Sequence, residues 1–212
     1  KKVVLAFALF AACGIANAQT ETTTTTTEDT SASSSDSSDR LDKGGFYLEP
    51  MVTYQTGEAT LHLPSPINDQ KQDMDGFGAG LRAGFHISQI LFVAADARYS
   101  WLEFDDFDTK GWNIGPVLGV QMPKYGLRLW GTYVLGGELE QDETQDLDAK
   151  FTDPKGYRLG AGIHVKSVSL NLEYQNLTYN KFKGQAAGIT GNFDSDADDK
   201  SWIASVSFPV EL

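Results

Sequence analysis

Cysteine is almost missing from this chain of 212 residues: there is one, Cys13, inside an apolar opening stretch. A disulfide framework is therefore excluded, and stability has to come from elsewhere. Beyond that opening no run of twenty apolar residues occurs, which excludes a membrane-spanning helix. Positive charge is also short, 17 Lys and Arg against 29 Asp and Glu, for a formal net charge of −12. Such a balance argues against nucleic acid or an anionic membrane surface as the partner. There is no phosphate loop, no metal-ligand quartet and no nucleophile elbow, so neither a cofactor nor an enzymatic activity is expected.

What is present begins with Lys1-Lys2, an apolar run from Val3 to Ala12, and Ala16-Asn17-Ala18. A positive start, a short apolar segment and an A-x-A site read as a secretory signal over 1–18, cleaved after Ala18. Leu9 to Cys13 supports a second reading, a lipoprotein signal whose lipidated cysteine becomes the first residue. Residues 19–43 are Thr, Ser, Asp and Glu with six consecutive threonines from Thr22 to Thr27. They bury too little apolar surface to offset ordering entropy, which predicts a disordered leader, a spacer or a glycosylated stalk.

From residue 44 to residue 212 the pattern changes to alternation of apolar and polar positions, the mark of strands with two different surroundings. Eight strands are predicted: 46–56, 76–87, 91–103, 111–122, 126–139, 156–165, 168–179 and 201–212. The last is the clearest, with Trp202, Ala204, Val206, Phe208, Val210 and Leu212 on one face and Ser201, Ser205 and Ser207 on the other. Gaps after the second, fourth and sixth strands are two or three residues, and the others run from about seven to about twenty. Short turns at one end and long loops at the other suit an antiparallel up-and-down barrel in a membrane. Aromatics on the apolar face fall in two bands: Tyr54, Phe77, Trp101, Trp112, Tyr157 and Trp202 toward the long loops, and Phe46, Phe85 and Phe208 toward the short turns. Two such girdles are expected where a barrel wall meets lipid headgroups.

With signal, strands and the ending Trp202 to Leu212 in view, the chain resembles the small eight-stranded outer-membrane barrels of the OmpA/OmpX type in Gram-negative bacteria. The resemblance covers Phe46 to Leu212. It implies an all-β transmembrane barrel in the bacterial outer membrane, surrounded by outer-membrane lipid and lipopolysaccharide. It also implies insertion by the barrel assembly machinery, which reads a terminal strand here formed by Trp202, Val206, Phe208, Val210 and Leu212. Members of that family finish on Phe, whereas Leu212 stands here, with Phe208 four residues before it.

Eight strands enclose a space that side chains fill. The opposite parity points Arg82, Arg98, Arg128 and Arg158 inward beside Glu49, Asp96, Glu138 and Glu173, with His86 and His164 near the short turns. Four against four predicts a balanced salt-bridged plug, and a three-residue turn around Gln89 sets Arg82 opposite Asp96. Inward glycines are expected to make room for these long side chains, and Pro50 and Pro116 to require bulges or an interfacial position. The loops at 57–75, 105–110, 140–155 and 180–200 hold seventeen Asp and Glu against seven Lys. Within them Asp105, Asp106 and Asp108, or Asp194, Asp196, Asp198 and Asp199, are weak candidates for Ca²⁺ or Mg²⁺, since neither group has the spacing of an EF-hand loop. Three functions follow in order of support: a non-enzymatic surface barrel acting in envelope integrity or extracellular contact, a narrow channel for small solutes or ions, and a lipid A-modifying enzyme using His86-Ile87-Ser88.

Overall fold

The computed structural model describes residues 45–62, 69–104, 107–141, 147–186, 189–193 and 197–212. The signal, Cys13 and the leader lie outside these, as do Asp105, Asp106, Asp194 and Asp196. All described regular structure is β apart from one 3-10 turn, Pro123–Tyr125. The strands are β1 (Phe46–Leu61), β2 (Gln70–His86), β3 (Leu91–Phe104), β4 (Phe107–Met122), β5 (Leu127–Val134), β6 (Gly136–Gln141), β7 (Leu147–Val165), β8 (Val168–Ala186), β9 (Ile189–Phe193), β10 (Ala197–Ser207) and β11 (Val210–Glu211). β5 with β6, and β10 with β11, each form one wall strand, giving eight antiparallel staves. β9 only prolongs β8 as a hairpin.

Closure is visible in the register. Tyr47 pairs with Gly84, Gly84 with Ala94, Ala94 with Val117 and Val117 with Thr132. Thr132 then pairs with Arg158, Arg158 with Gln175, Gln175 with Ser201, and Ser201 with Gly57 back on β1. The circuit returns ten residues beyond its start (57 − 47). That stagger tilts the strands and fixes a bore narrow enough for side chains to fill. The seam between the first and last staves is β1 on β10 and β11, with Leu212 N–H donating to Phe46 O at 3.0 Å.

Burial is inverted relative to a water-soluble sandwich. Val52, Leu81, Leu118, Leu129, Leu159, Leu172 and Trp202 are exposed, whereas Glu49, Arg82, Asp96, Arg158 and Glu173 are at most 1% exposed. Charged groups are buried only in mutual company, and this much apolar surface faces outward only where the solvent is hydrocarbon. The wall is therefore lipid-facing. Phe77, Trp101, Trp112, Tyr157 and Trp202 lie exposed near the long-loop end, with Tyr54 half-buried against Phe77 at 5.2 Å between ring centres. Phe46, Phe85 and Phe208 lie exposed near the short turns. Tyr99 and Tyr174 join the outer girdle against Trp101 and Trp202. The two girdles lie eight residues apart on β1 and β2 and six apart on the last stave, and they bound the apolar band of the wall.

Three expectations are corrected here. The strands continue well past the outer girdle, so much of the stretches 57–75, 140–155 and 180–200 is paired strand. Outside the bilayer both faces meet water, so alternation fades while backbone pairing does not. Pro50 and Pro116 pair with Leu81 and Ala95 in unbroken register, without bulges. The interruption near the end falls at Phe208-Pro209 instead, where Phe208 N–H still donates to Pro50 O at 3.0 Å. Gly119 and Gly160 make way for rings rather than for arginines: a Cβ at either would lie 2.2 Å from the Phe92 ring or 2.3 Å from that of Trp130.

A charge placed in the middle of the lipid face tests this placement. Leu118→Arg should cost about 2–4 kcal/mol in urea unfolding from phospholipid vesicles, whereas unchanged stability would mean that Leu118 does not face lipid.

Candidate functional site

The inside of the barrel is where the sequence concentrates chemistry that a plain wall does not need. Asp96 on β3 is its centre. Arg82 lies directly opposite on β2 and donates from Nε at 3.1 Å and Nη2 at 2.9 Å to Asp96 Oδ2. Arg98, two residues along the same strand and so on the same face, donates from Nε to Asp96 Oδ1 at 2.9 Å. Arg158 reaches across the bore from β7 and donates to Oδ1 at 3.0 Å and to Asn113 Oδ1 at 3.0 Å. Glu173 on β8 accepts from Arg98 Nη2 at 2.7 Å and lies 3.5 Å from Arg82 Nη2.

A second pair crosses the bore lower down. Arg128 on β5 holds Glu49 on β1 through two parallel bonds of 3.0 Å, and Ser207 Oγ donates to the same carboxylate at 2.6 Å. The fork geometry of guanidinium matches a carboxylate edge, which explains the arginines where lysine would give a point contact. Guanidinium faces are covered by rings: Arg82 lies 4.8 Å over Trp130 and Arg128 4.9 Å over Phe92. Below them Tyr47, Phe92, Val117 and Trp130 form an apolar floor. His86 belongs to this floor, stacked on Tyr47 at 4.7 Å, while His164 Nδ1 lies 2.9 Å from Ser169 Oγ.

Glu138 is not in the plug, and the reason is one extra residue. Met122 pairs with Leu127 and Val117 with Thr132, but Ile114 pairs with Gly136, a slip of one at Leu135-Gly136. The slip turns Glu138 opposite the outward Trp112, where it pairs with Lys150, and swings Leu139 inward over Gly111. The central network is therefore four arginines against three carboxylates. The fourth is Asp199, read from sequence as a loop acid but 6% exposed inside the bore. It lies three residues beyond the outer-girdle Trp202, where Gln175 Nε2 donates to its Oδ2 at 2.6 Å. Gln55 Nε2 donates to the same oxygen at 3.4 Å and to Ser201 Oγ at 3.0 Å. Burial pushes the Asp199 carboxyl up to about 6. Parity carried two residues outward from Ser201 is the one signal in the sequence that places it inside.

Level with Asp199, which pairs with Leu177 on β8 and Ala59 on β1, apolar side chains fill the bore. Met74, Leu102 and Phe104 form one cluster and Val134, Leu177 and Tyr179 another, and Leu139 packs against both. Outside, Asp108 is exposed and Asp198 accepts from Thr178 Oγ1 at 2.7 Å, so Asp198 and Asp199 point to opposite sides of β10. No group of three His, Cys, Asp or Glu able to hold a metal exists among the described residues. Asp198 instead meets His62 Nε2 at 3.3 Å, while His62 Nδ1 lies 3.1 Å from Asp69. The hydrogen bonds to Asp198 and then Asp69 raise the His62 pKa. His86 and Ser88 do not converge: the Ser88 hydroxyl accepts the Leu91 and Ile90 N–H groups at 3.1 and 3.3 Å in the turn.

No family model matches the chain, and neither does any curated protein. Among solved structures it is similar to Neisserial surface protein A (NspA), at 18% identity and a TM-score of 0.47 over 77% of this chain and 96% of that one. It is similar to Ail, the attachment invasion locus protein of Yersinia pestis, at 11% identity and 0.48 over 78% and 99%. It is also similar to the outer membrane protein OprG from Pseudomonas aeruginosa, at 8% identity and 0.47 over 80% and 98%. These likenesses concern fold alone; the closed register and inverted burial of this chain establish the barrel.

Two measurements probe the site. Asp96→Asn leaves three buried guanidinium groups without their shared anion and should destabilise the barrel by about 3–5 kcal/mol in urea. His62, its pKa raised, should titrate above an ordinary histidine by NMR, so its ion pairs persist in acid and are lost as pH rises through that value. Asp198→Asn should bring the midpoint down, and no change would mean that the contact does not form.

Proposed function

We propose that this chain is a non-enzymatic, non-conducting surface barrel of a Gram-negative outer membrane that acts through its outer rim in envelope integrity or extracellular contact. The observation that carries this reading is the triple filling of the bore. Apolar side chains around Phe92 and Trp130 pack against Arg128 and Arg82, an ionic network surrounds Asp96, and apolar clusters around Leu102 and Tyr179 fill the bore toward the long-loop end. A pathway for ions needs a continuous polar lining, and the apolar clusters packed into the bore oppose wetting. The arginines and carboxylates face one another across the bore, which suits cross-linking rather than transport.

With the interior occupied by packing, recognition is left to the rim. Glu58, Asp73, Asp75, Glu103 and Asp108 lie on the outer side of β1 to β4 beyond the girdle. Glu103 is directly opposite both Asp75 and Asp108. Like charges in register destabilise a ladder unless a counter-charge offsets them. Cationic partners, divalent cations among them, are therefore what this rim would attract. Lipopolysaccharide would surround the wall on that side, and the barrel assembly machinery would insert the chain, reading the strand formed by Trp202, Val206, Phe208, Val210 and Leu212.

Single-channel recording in planar bilayers separates this reading from a narrow channel. The intact barrel should give no steady conductance steps, and neither should Leu139→Ser alone, because the ionic layer and the floor persist. Steady steps that change in size on Arg82→Ala or Asp96→Ala would overturn the non-conducting reading in favour of transport.

A further inference from the structure

The lipid-facing wall is not uniform. A groove of about 450 Å³ runs along it between the β4–β5 and β7–β8 hairpins, in the half nearer the short turns. Its cause is Ala161, an outward residue flanked across the ladder by Leu129 on one side and Leu172 on the other, with Leu127, Ile163 and Leu170 below. A small side chain between larger ones leaves a furrow, and in the hydrocarbon layer only an acyl chain is available to fill it.

The foot of the groove is charged. Met122 and Leu127 flank the turn at 123–126, which carries Lys124, and Val165 and Val168 flank the turn bearing Lys166. His164 N–H donates to Gly126 O at 2.7 Å, which sets the 123–126 turn beside the end of β7. Both lysines are exposed, and Lys124 Nζ lies 5.6 Å over the ring of Tyr125, itself 65% exposed at the interface. Lys124 and Lys166 are the only exposed Lys or Arg among the described residues of the short-turn end, Arg128 being buried in the bore. The turn at Ile87–Ile90 carries no charge, and Glu211 lies on the β1–β11 side. The chain is acidic as a whole, yet this corner is locally cationic, and screening at short range makes the local balance the relevant one.

We propose that this furrow is a binding site for one anionic phospholipid of the leaflet at the short-turn side. One acyl chain lies over Ala161 and the phosphate sits between Lys124 and Lys166. Two lysine ammonium groups at the headgroup favour a lipid of net negative charge over a zwitterionic one, whose phosphate is offset by its own cation. Tyr125 marks the depth at which a headgroup belongs. The proposal rests on the barrel spanning a bilayer and not on what its outer rim contacts.

The test is native mass spectrometry of the full chain released from vesicles of equal parts phosphatidylglycerol and phosphatidylcholine. The expected result is one retained lipid, with phosphatidylglycerol outnumbering phosphatidylcholine at the site by about ten to one. Lys124→Glu with Lys166→Glu should return the retained lipid to bulk composition, and Ala161→Phe should lower the amount retained of either kind. The lysines lie in exposed turns, so the double variant tests the site even if Ala161→Phe does not fold. Retained lipid of bulk composition on the unaltered chain, or enrichment that survives the double lysine change, overturns the site while leaving the barrel intact. Absence of any inserted protein would sink the membrane placement and the site with it.

Discussion

In hydrocarbon no water is available to a backbone amide, and that single constraint governs the rest of this molecule. Each unpaired N–H or C=O costs several kcal/mol there, so a sheet survives only if its first strand bonds its last. Closure of eight staves, with a stagger of ten residues around the circuit, leaves a bore that has to be filled by whatever the inward parity supplies. The alternation of side chains then divides the sequence into two lists with opposite chemistry. From Trp202 to Leu212 the even-numbered positions are apolar because they meet lipid, whereas Ser201, Ser205 and Ser207 on the odd side meet the interior. Missing N–H donors are tolerated where they fall singly: Pro50 sits at the seam, yet its carbonyl still receives the Phe208 N–H.

The interior solves the problem of filling a narrow tube in layers. Charges are placed where they can reach across it, joining β3 to β7 through Asp96 and Arg158, β3 to β8 through Arg98 and Glu173, and β5 to β1 through Arg128 and Glu49. These contacts tie opposite walls, which hydrogen bonds between neighbours cannot do. Such a network contributes little relative to a well-packed apolar filling, but losing one member is costly because its partners cannot be rehydrated. The arginine faces rest on Trp130 and Phe92, so the ionic layer and the floor form one packed unit, and the two glycines beneath those rings belong to it.

Much of this was legible in the sequence, because the period of two persists wherever one face meets lipid. All eight staves, both girdles and the pairing of Arg82 with Asp96 follow from parity and turn length. Legibility ends at the outer girdle. Beyond it neither face is lipid, so Glu58, Asp73 and Asp75 read as loop acids although they stand on paired strand. Asp199 was hidden for the same reason: between Asp198 and Lys200 it looks like part of a solvated run, and only parity from Ser201 turns it inward. The inward glycines were visible as gaps, but a gap does not state whether a ring or a guanidinium will occupy it.

Glu138 departs from parity for a different reason, and the same departure joins the two outer apolar clusters. Straight parity from Arg128 carries Glu138 into the bore and Leu139 out of it. The slip at Leu135-Gly136 exchanges them. A bulge of one residue inverts every side chain beyond it, so the same event that removes a carboxylate from the bore delivers a leucine to its outer end. Leu139 then bridges the cluster of Met74, Leu102 and Phe104 to that of Val134, Leu177 and Tyr179. Without the slip, Glu138 would point toward those residues, and an ionised carboxylate there would hydrate them. With the slip, it pairs with Lys150 on the outer side. Asp199 is left as the acid beside these clusters, held by Gln55 and Gln175, with its carboxyl pushed up by burial. The joining of these two apolar clusters therefore depends on an inserted residue that carries no charge and makes no ion pair of its own.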